Sequence, residues 1–146
     1  MKKILFGLLG ILVAIQFIRP TFSNANVDEK IALQADEKVM SVLKKACYDC
    51  HSDETQYPWT KNIAPASWVI ADHIKEGRKA LNFSQWEAID AKLKTTRLKR
   101  AQQLVSNGLM PVPSYTMIHK EAKLNSDEKE LLKHFFDTQL EKLKTL

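Results

Sequence analysis

The sequence predicts an all-α protein, and three observations support this fold class. After residue 26, no alternation of apolar and polar residues is long enough to indicate a strand. Apolar residues recur instead at the spacing of three and four residues that is typical of helices. The chain has 146 residues, is 45% hydrophobic and contains only 4 Gly and 5 Pro, which excludes collagen-like and disordered classes. One folded domain is expected at this length.

Residues 1–25 have the pattern of an export signal. Lys2 and Lys3 precede an apolar run of 15 residues, 4–18. Small residues at positions 23 and 25 favour a cleaved signal peptide that ends at Ala25. A retained membrane anchor is the alternative, since Arg19 and Pro20 close the apolar run abruptly. As a helix the run rises about 22 Å, less than a hydrocarbon core of about 30 Å. In both cases the positive-inside rule predicts that residues 26–146 work on the periplasmic side of the inner membrane.

The charge balance gives little support for nucleic-acid binding. Three of the 22 basic side chains and none of the 17 acidic ones lie in residues 1–25, so the net charge falls from +5 to +2 without that segment. Nucleic-acid-binding domains are usually more basic. The 2 cysteines also exclude a disulfide scaffold.

The first two helices of the exported domain are predicted over residues 28–46 and 65–77. The apolar face of the first contains Ile31, Ala35, Val39, Val42, Leu43 and Ala46. Pro65 is a favourable residue for the first turn of the second helix, and Gly77 is predicted to end it. An irregular segment, residues 50–64, lies between them.

Two further helices complete the domain. Ser84 and Glu87 have the spacing of a capping box, which predicts a helix from residue 84 to a C-cap at Gly108. After a second irregular segment, residues 108–124, the last helix is predicted to open at Asn125. Its apolar stripe over residues 127–143 is the clearest in the chain.

Both cysteines belong to one pentapeptide, in which Cys47, Cys50 and His51 form Cys-x-x-Cys-His. This is the attachment motif of c-type haem. Two thiols at this spacing on a helix end reach the two vinyl groups of one porphyrin, and the histidine then lies beneath the iron as its proximal ligand. Zinc would need further ligands at a recognisable spacing, and a thioredoxin-like dithiol normally sits in an α/β unit. The sequence therefore predicts one covalent haem c, with a redox dithiol as the alternative.

The chain resembles the haem-binding domain family of small single-haem proteins, and the placement of the motif resembles class I cytochromes c. The similarity extends from about Asp36 to the C-terminus. It is carried by CYDCHS (47–52), YPW (57–59), IAPASW (63–68), EGR (76–78), LNFSQW (81–86), MP (110–111) and AKL (122–124). The resemblance implies a cytochrome c-like domain in which an N-terminal helix leads into the motif and a C-terminal helix packs across it around the haem. Here an N-terminal hydrophobic helix would precede that domain.

Met110 is the candidate for the sixth, distal iron ligand. Pro111 and Pro113 follow it and restrict the backbone around its sulfur. A His/Met pair raises the reduction potential and suits electron transfer, and the family resemblance also favours this ligand. A packed apolar side chain is the alternative interpretation of Met110. His73 and His119 are the rival ligands.

Aromatic and basic side chains are candidates for contacts with the haem and its partners. Tyr57, Trp59 and Trp68 follow the motif, and their O–H and N–H groups are candidate donors to the propionates, with core packing as an equal alternative. Arg97 is either a propionate partner or a snorkelling surface residue. The basic run in residues 92–100 either steers an acidic redox partner or forms a solvated helix face.

These features together predict an electron carrier rather than an enzyme. Haem c with the axial pair His51 and Met110 would transfer one electron at a time to an unidentified redox protein, after attachment by the cytochrome c maturation machinery. The sequence has no nucleophile–base constellation, phosphate-binding loop or nucleic-acid motif. The alternative is a gas or peroxide sensor, or a peroxidase-like enzyme, with an open distal site where His73 or His119 moves protons.

Overall fold

The structure is a computed structural model that describes residues 1–145, and these residues form helices and no strand. In chain order the α-helices are α1 (Lys2–Ala14), α2 (Glu37–Ala46), α3 (Tyr48–His51), α4 (Ala66–Ala80), α5 (Ala91–Ser106), α6 (Pro113–Ile118) and α7 (Ser126–Lys144). Short 3₁₀ turns cover Ile15–Phe17, Trp59–Asn62, Phe83–Ala88 and Lys120–Ala122. The all-α prediction is confirmed for the described residues.

Helix α1 coincides with the apolar N-terminal run, and none of its residues is buried. Across residues 1–145, the structure contains no helix whose length and apolar character would suffice to cross a membrane.

Helix α2 begins at Glu37, so the predicted start at residue 28 is wrong. The carboxylate of Asp36 accepts a hydrogen bond from the Val39 N–H at 3.0 Å and caps the helix. Upstream, the Leu33 N–H donates to the Phe83 carbonyl at 2.8 Å, and the Ile31 carbonyl accepts from the Glu87 N–H at 2.8 Å. The backbone before α2 therefore pairs with a distant segment instead of continuing the helix.

Helix α4 continues through Gly77 to Ala80, so the predicted stop at Gly77 is also wrong. A Cβ atom at position 77 would lie 2.4 Å from the carbonyl oxygen of Cys50. The glycine lets α4 and α3 approach each other closely rather than ending the helix.

The predicted capping box at Ser84 is wrong because both of its side chains have other partners. The Ser84 hydroxyl accepts from the Asp53 N–H at 2.9 Å, and Glu87 forms an ion pair with Lys94. Residues 83–88 form a 3₁₀ turn, and α5 begins after Asp90, whose carboxylate accepts from the Leu93 N–H at 2.8 Å. The predicted end is confirmed, since Gly108 has the left-handed φ of 68° that follows many helices.

Helix α7 agrees with its prediction and completes the core. Asn125 and Glu128 form a capping box at its start. The helix packs against α5 and α2, and the fully buried side chains of this core include Leu43, Leu98, Leu132 and Phe136. The two segments predicted to be irregular contain α6 and two of the 3₁₀ turns.

Candidate functional site

The pentapeptide lies where α2 runs into α3. The Cys47 N–H donates to the Leu43 carbonyl at 2.8 Å, and the His51 N–H donates to the Cys47 carbonyl at 2.9 Å. Cys47 and Cys50 are half-buried and form no disulfide. Nearly continuous helical geometry therefore places both sulfurs and the imidazole on about one turn of chain.

Two adjoining cavities, of about 340 and 320 Å³, open beside the motif. Both are lined by Ala46, Cys47, His51, Ala80, Met110 and Pro111, and the smaller one also by Cys50. The remaining lining of the larger cavity is mostly apolar and includes Leu81, Phe83, Leu104, Val105 and Phe136. The structure thus brings together the four side chains that were predicted to hold the haem and its iron.

The imidazole of His51 is held in one orientation. Its Nδ1 lies 3.0 Å from the Leu81 carbonyl oxygen. A carbonyl only accepts, so Nδ1 carries the proton and Nε2 keeps its lone pair for a metal. Burial lowers the pKa of His51 and outweighs the opposing backbone hydrogen bonds. The neutral form that binds metals is therefore favoured at neutral pH.

The two thiols stay protonated in this environment. Burial, with a smaller contribution from Cys50, raises the pKa of Cys47 to about 12. Burial, with a smaller contribution from Asp49, raises the pKa of Cys50 to about 11. Thiol–disulfide exchange needs a thiolate, and redox-active dithiols have lowered pKa values. The raised pKa values of both thiols therefore disfavour the dithiol alternative.

A buried polar cluster follows the motif, and sequence reasoning did not assign it. The Asp53 carboxylate accepts hydrogen bonds from Asn82 Nδ2 at 3.1 Å and from Gln85 Nε2 at 3.2 Å. Arg78 Nε lies 3.5 Å from the same carboxylate and donates to the Ser52 carbonyl at 2.8 Å. The only signal in the sequence was that Arg78, Asn82 and Gln85 lie in segments that resemble the family.

Another part of the cavity wall, residues 108–119, carries Met110. Its backbone N–H donates to the Leu104 carbonyl at 3.2 Å, and its half-buried side chain packs against the core. In α6, the Tyr115 hydroxyl donates to Asp49 Oδ2 at 2.7 Å, and the Gln56 N–H donates to Asp49 Oδ1 at 2.8 Å. Burial, followed by the bond to Asp49, raises the pKa of Tyr115. Asp49 therefore joins this wall to the pentapeptide.

The two rival ligands lie in different places. His73 is exposed and lines the smaller of the two cavities, together with His51 and Met110. His119 lines neither of them; its ring stacks on Tyr115 at 4.4 Å and its Nδ1 is 3.3 Å from Glu121. Met110 is the only one of the three candidates that lines both cavities.

The three aromatic candidates lie outside the lining of both cavities. The Tyr57 hydroxyl donates to the Ser23 carbonyl at 2.8 Å, and Trp68 Nε1 donates to the Ile18 carbonyl at 2.7 Å. The side chain of Trp59 is 75% exposed. Their predicted role as propionate donors gains no support from this geometry, because the polar groups of Tyr57 and Trp68 are bonded to the N-terminal segment.

The basic run on α5 divides into three groups, and the first of them, Lys92 and Lys99, is exposed. Arg97 and Arg100 line the larger cavity, and Arg97 Nη2 donates to the Lys79 carbonyl at 3.1 Å. Lys94 is buried, paired with Glu87, and its ammonium lies 5.3 Å from the centre of the Trp86 ring. Lys94 is therefore no part of a solvated face.

A family model described as a haem-binding domain matches residues 10–138. The chain belongs to this family, and the resemblance expected from the sequence is confirmed. Haem, with its iron, is accordingly the cofactor of this protein. Comparisons with curated proteins and with solved structures gave no match.

Proposed function

We propose that this member of the haem-binding domain family attaches one haem covalently through Cys47 and Cys50 and carries single electrons outside the cytoplasm. One observation supports the proposal most directly: Cys47, His51 and Met110 line both of two adjoining, mostly apolar cavities, and Cys50 lines the smaller of them. In this assignment the thiols would form the two thioethers, and the imidazole and the methionine sulfur would hold the iron.

The residues present fit a c-type haem. The donor set combines a neutral imidazole with a soft thioether, a pair typical of electron-transferring cytochromes. Each cavity has a volume within the range of small-molecule sites, and its apolar lining suits a porphyrin. The bound group would supply a one-electron iron couple whose potential depends on the axial pair and on burial.

The chain contributes orientation and a low-dielectric environment. The Leu81 carbonyl fixes the tautomer and the ring orientation of His51, and such a partner also makes the ligating nitrogen more basic. Met110 is held through its backbone to Leu104 on a separate helix. With both ligands in place, electron transfer needs no proton and no vacant position, in agreement with a carrier rather than an enzyme.

Arg97 and Arg100 replace the three aromatic residues as candidate partners of the propionates. Both line the larger cavity, and a guanidinium forms paired hydrogen bonds with a carboxylate. Arg97 is half-buried and would form the stronger of the two contacts, since a desolvated ion pair is less screened.

The arrangement of helices supports the cytochrome c-like architecture that the resemblance implied. Helix α2 leads into the pentapeptide, and α7 packs against α2. We place the domain on the periplasmic side of the inner membrane, where the cytochrome c maturation machinery and a redox protein are its partners. The N-terminal positive charge and apolar run support this location.

The primary test is a visible spectrum of protein exported by cells that have c-type maturation machinery. The sample is extracted with acid and organic solvent, which removes non-covalent haem, and is then reduced with dithionite. Sharp reduced bands that survive extraction are expected, and the Cys47→Ala/Cys50→Ala variant should lose them. Wild-type protein without haem after extraction would overturn covalent attachment.

Met110→Ala separates the carrier from the sensor or peroxidase alternative. Loss of the thioether is expected to lower the reduction potential and to open the ferrous iron to carbon monoxide. The control is Met117→Ala, because Met117 is 79% exposed and lines neither cavity. Wild-type protein that already binds carbon monoxide stoichiometrically would favour the open distal site instead.

A further inference from the structure

We propose that the N-terminal segment stays attached to the mature protein and seats the haem domain on a lipid bilayer through α1 and the Trp59–Asn62 turn. This inference rests on the export assumed in the proposed function. It chooses between cleavage of residues 1–25 after export and their retention in the mature protein. It depends on residues 16–24, here called the N-terminal strap.

Gln16, at the N-terminal end of the strap, forms hydrogen bonds with the buried backbone of Ala64. Gln16 Nε2 donates to the Ala64 carbonyl at 3.0 Å, and the Ala64 N–H donates to Gln16 Oε1 at 3.0 Å. Ala64 is 6% exposed, so removal of Gln16 would leave both of its polar groups without a partner in a poorly solvated place. Trp68 Nε1 adds a third bond, to the Ile18 carbonyl.

The second end of the strap is bonded to residues that support the pentapeptide. Arg78 Nη1 donates to the Ser23 carbonyl at 2.8 Å, and Arg78 Nη2 donates to Asn24 Oδ1 at 2.8 Å. Asn24 Nδ2 donates to the Thr55 carbonyl at 3.0 Å. The same Arg78 guanidinium bonds to Ser52 and pairs with Asp53, directly after the pentapeptide.

A cut after Ala25 would remove the whole strap and every hydrogen bond that the strap makes with the domain. A leader that is discarded has no physical reason to satisfy the buried polar groups of the domain it leaves. The family match also begins at residue 10, inside the apolar run and well before that cut. The segment therefore behaves as part of the folded domain.

Helix α1 needs an apolar environment on every side. Its large apolar side chains are each between 53% and 69% exposed and surround the helix: Ile4, Leu5, Phe6, Leu8, Leu9, Ile11, Leu12 and Val13. A docked protein covers one face of a helix, whereas lipid covers all faces. Lipid is therefore the partner that fits this helix.

The apolar surface continues from α1 onto the haem domain. Phe17 and Ile18, at the foot of the helix, are 83% and 63% exposed, and Gln16 connects this foot to Ala64. Trp59, in the adjacent 3₁₀ turn, is 75% exposed, and Ile63, directly after that turn, is 43% exposed. Tryptophan favours the boundary between lipid and water, so this turn is placed at the membrane surface.

The retained segment is tested by the intact mass of haem-loaded protein recovered from exporting cells. Only molecules that carry covalent haem are scored, since the maturation machinery attaches haem outside the cytoplasm. The expected mass includes residues 1–25, whereas haem-loaded protein that begins at Asn26 would overturn the inference. Protein without covalent haem would instead overturn the proposed function, so the two failures are distinguishable.

The lipid contact is tested by hydroxyl-radical footprinting of the full haem-loaded chain in vesicles of phosphatidylcholine and phosphatidylglycerol. Trp59 and Met117 are 75% and 79% exposed in the protein alone, so Met117 is an internal reference. The ratio of Trp59 oxidation to Met117 oxidation is measured in the vesicles and in the urea-unfolded chain. We expect this ratio to be at least about fivefold lower in the vesicles. Equal oxidation would show that Trp59 faces water and would overturn the lipid contact.

Discussion

Two walls of the cavities beside the pentapeptide are built differently. The motif wall consists of residues 47–55 together with the parts of α4 and of residues 82–85 that contact them. It is fixed by buried hydrogen bonds to Asp53 and by the close contact at Gly77. The distal wall, residues 108–119, contains Met110 and α6, and no residue of α6 is buried. It is joined to the motif wall through Tyr115 and Asp49. The difference indicates that the motif wall is the more rigid of the two and that the distal wall is the more adjustable.

The largest expected effect comes from Asp53→Ala in the motif wall. The substitution removes an acceptor shared by Arg78, Asn82 and Gln85, and leaves the guanidinium without its buried counter-charge. We expect the free energy of unfolding to fall by about 3 kcal/mol, measured by urea denaturation of haem-loaded protein. The matched control is Asp72→Ala on α4, which is exposed. Equal losses in the two variants would contradict a special role for the cluster.

Gly77→Ala tests the closest approach in the motif wall. The added Cβ would lie 2.4 Å from the Cys50 carbonyl oxygen, so backbone must move. We expect a loss of about 1–3 kcal/mol in unfolding free energy and a lower yield of covalent haem. Gly10→Ala is the control, because no atom lies within 4 Å of its added Cβ. A fully stable, haem-loaded Gly77→Ala protein would show that the two helices separate at little cost.

Tyr115→Phe tests the connection between the two walls. The change removes a 2.7 Å hydrogen bond to the Asp49 carboxylate, and we expect it to cost about 1.5 kcal/mol. Carbon monoxide should then compete better for the ferrous iron, because α6 no longer restrains the Met110 segment. The measurement is carbon monoxide titration, with Ser114→Ala on the same helix as the control. Identical titrations for wild type and Tyr115→Phe would show that the distal wall does not depend on Asp49.

The smallest expected effect concerns the ion pair that joins α2 to α7, behind the motif wall. The hydrogen bond from Lys45 holds the pKa of Glu128 below its ordinary value of 4.5. Because the folded pKa is lowered, the pair stabilises the protein at neutral pH, and this contribution disappears as the pH falls through the lowered value.

Glu128→Gln retains an acceptor for the Asn125 N–H but loses the charge. We expect it to be about 0.5 kcal/mol less stable than wild type at pH 7, with the difference vanishing in acid. Glu130→Gln, which affects a more exposed pair with Lys133, is the control for thermal unfolding at several pH values. A difference that persists in acid would assign the loss to packing instead of charge.

Sequence reasoning was reliable where the deciding partners are neighbours in the chain. The pentapeptide, the Asn125–Glu128 capping box and the left-handed Gly108 each depend on contacts within a few residues. These local signals predicted the fold class, the last helix and the cofactor.

The errors arose where the deciding partner is distant. Gly77 and Ser84 look like a helix stop and a helix cap, but Cys50 and Asp53 determine their roles. Tyr57 follows the motif closely, which makes it a candidate propionate donor, but its hydroxyl donates to the Ser23 carbonyl in the N-terminal segment, outside the predicted haem-binding domain. Local pattern carries no information on such pairings.

Asp49 stands at a position that the motif leaves free, yet both of its carboxylate oxygens are engaged, by Gln56 and Tyr115. A protein engineer who grafts the pentapeptide onto another helical scaffold would therefore transfer two thiols and an imidazole without the anchor for the distal wall. A transplantable unit has to include Tyr115 and a helix that presents it to Asp49. Libraries that randomise the two x positions should consequently recover acidic residues at position 49 when α6 is present and no preference when Tyr115 is replaced.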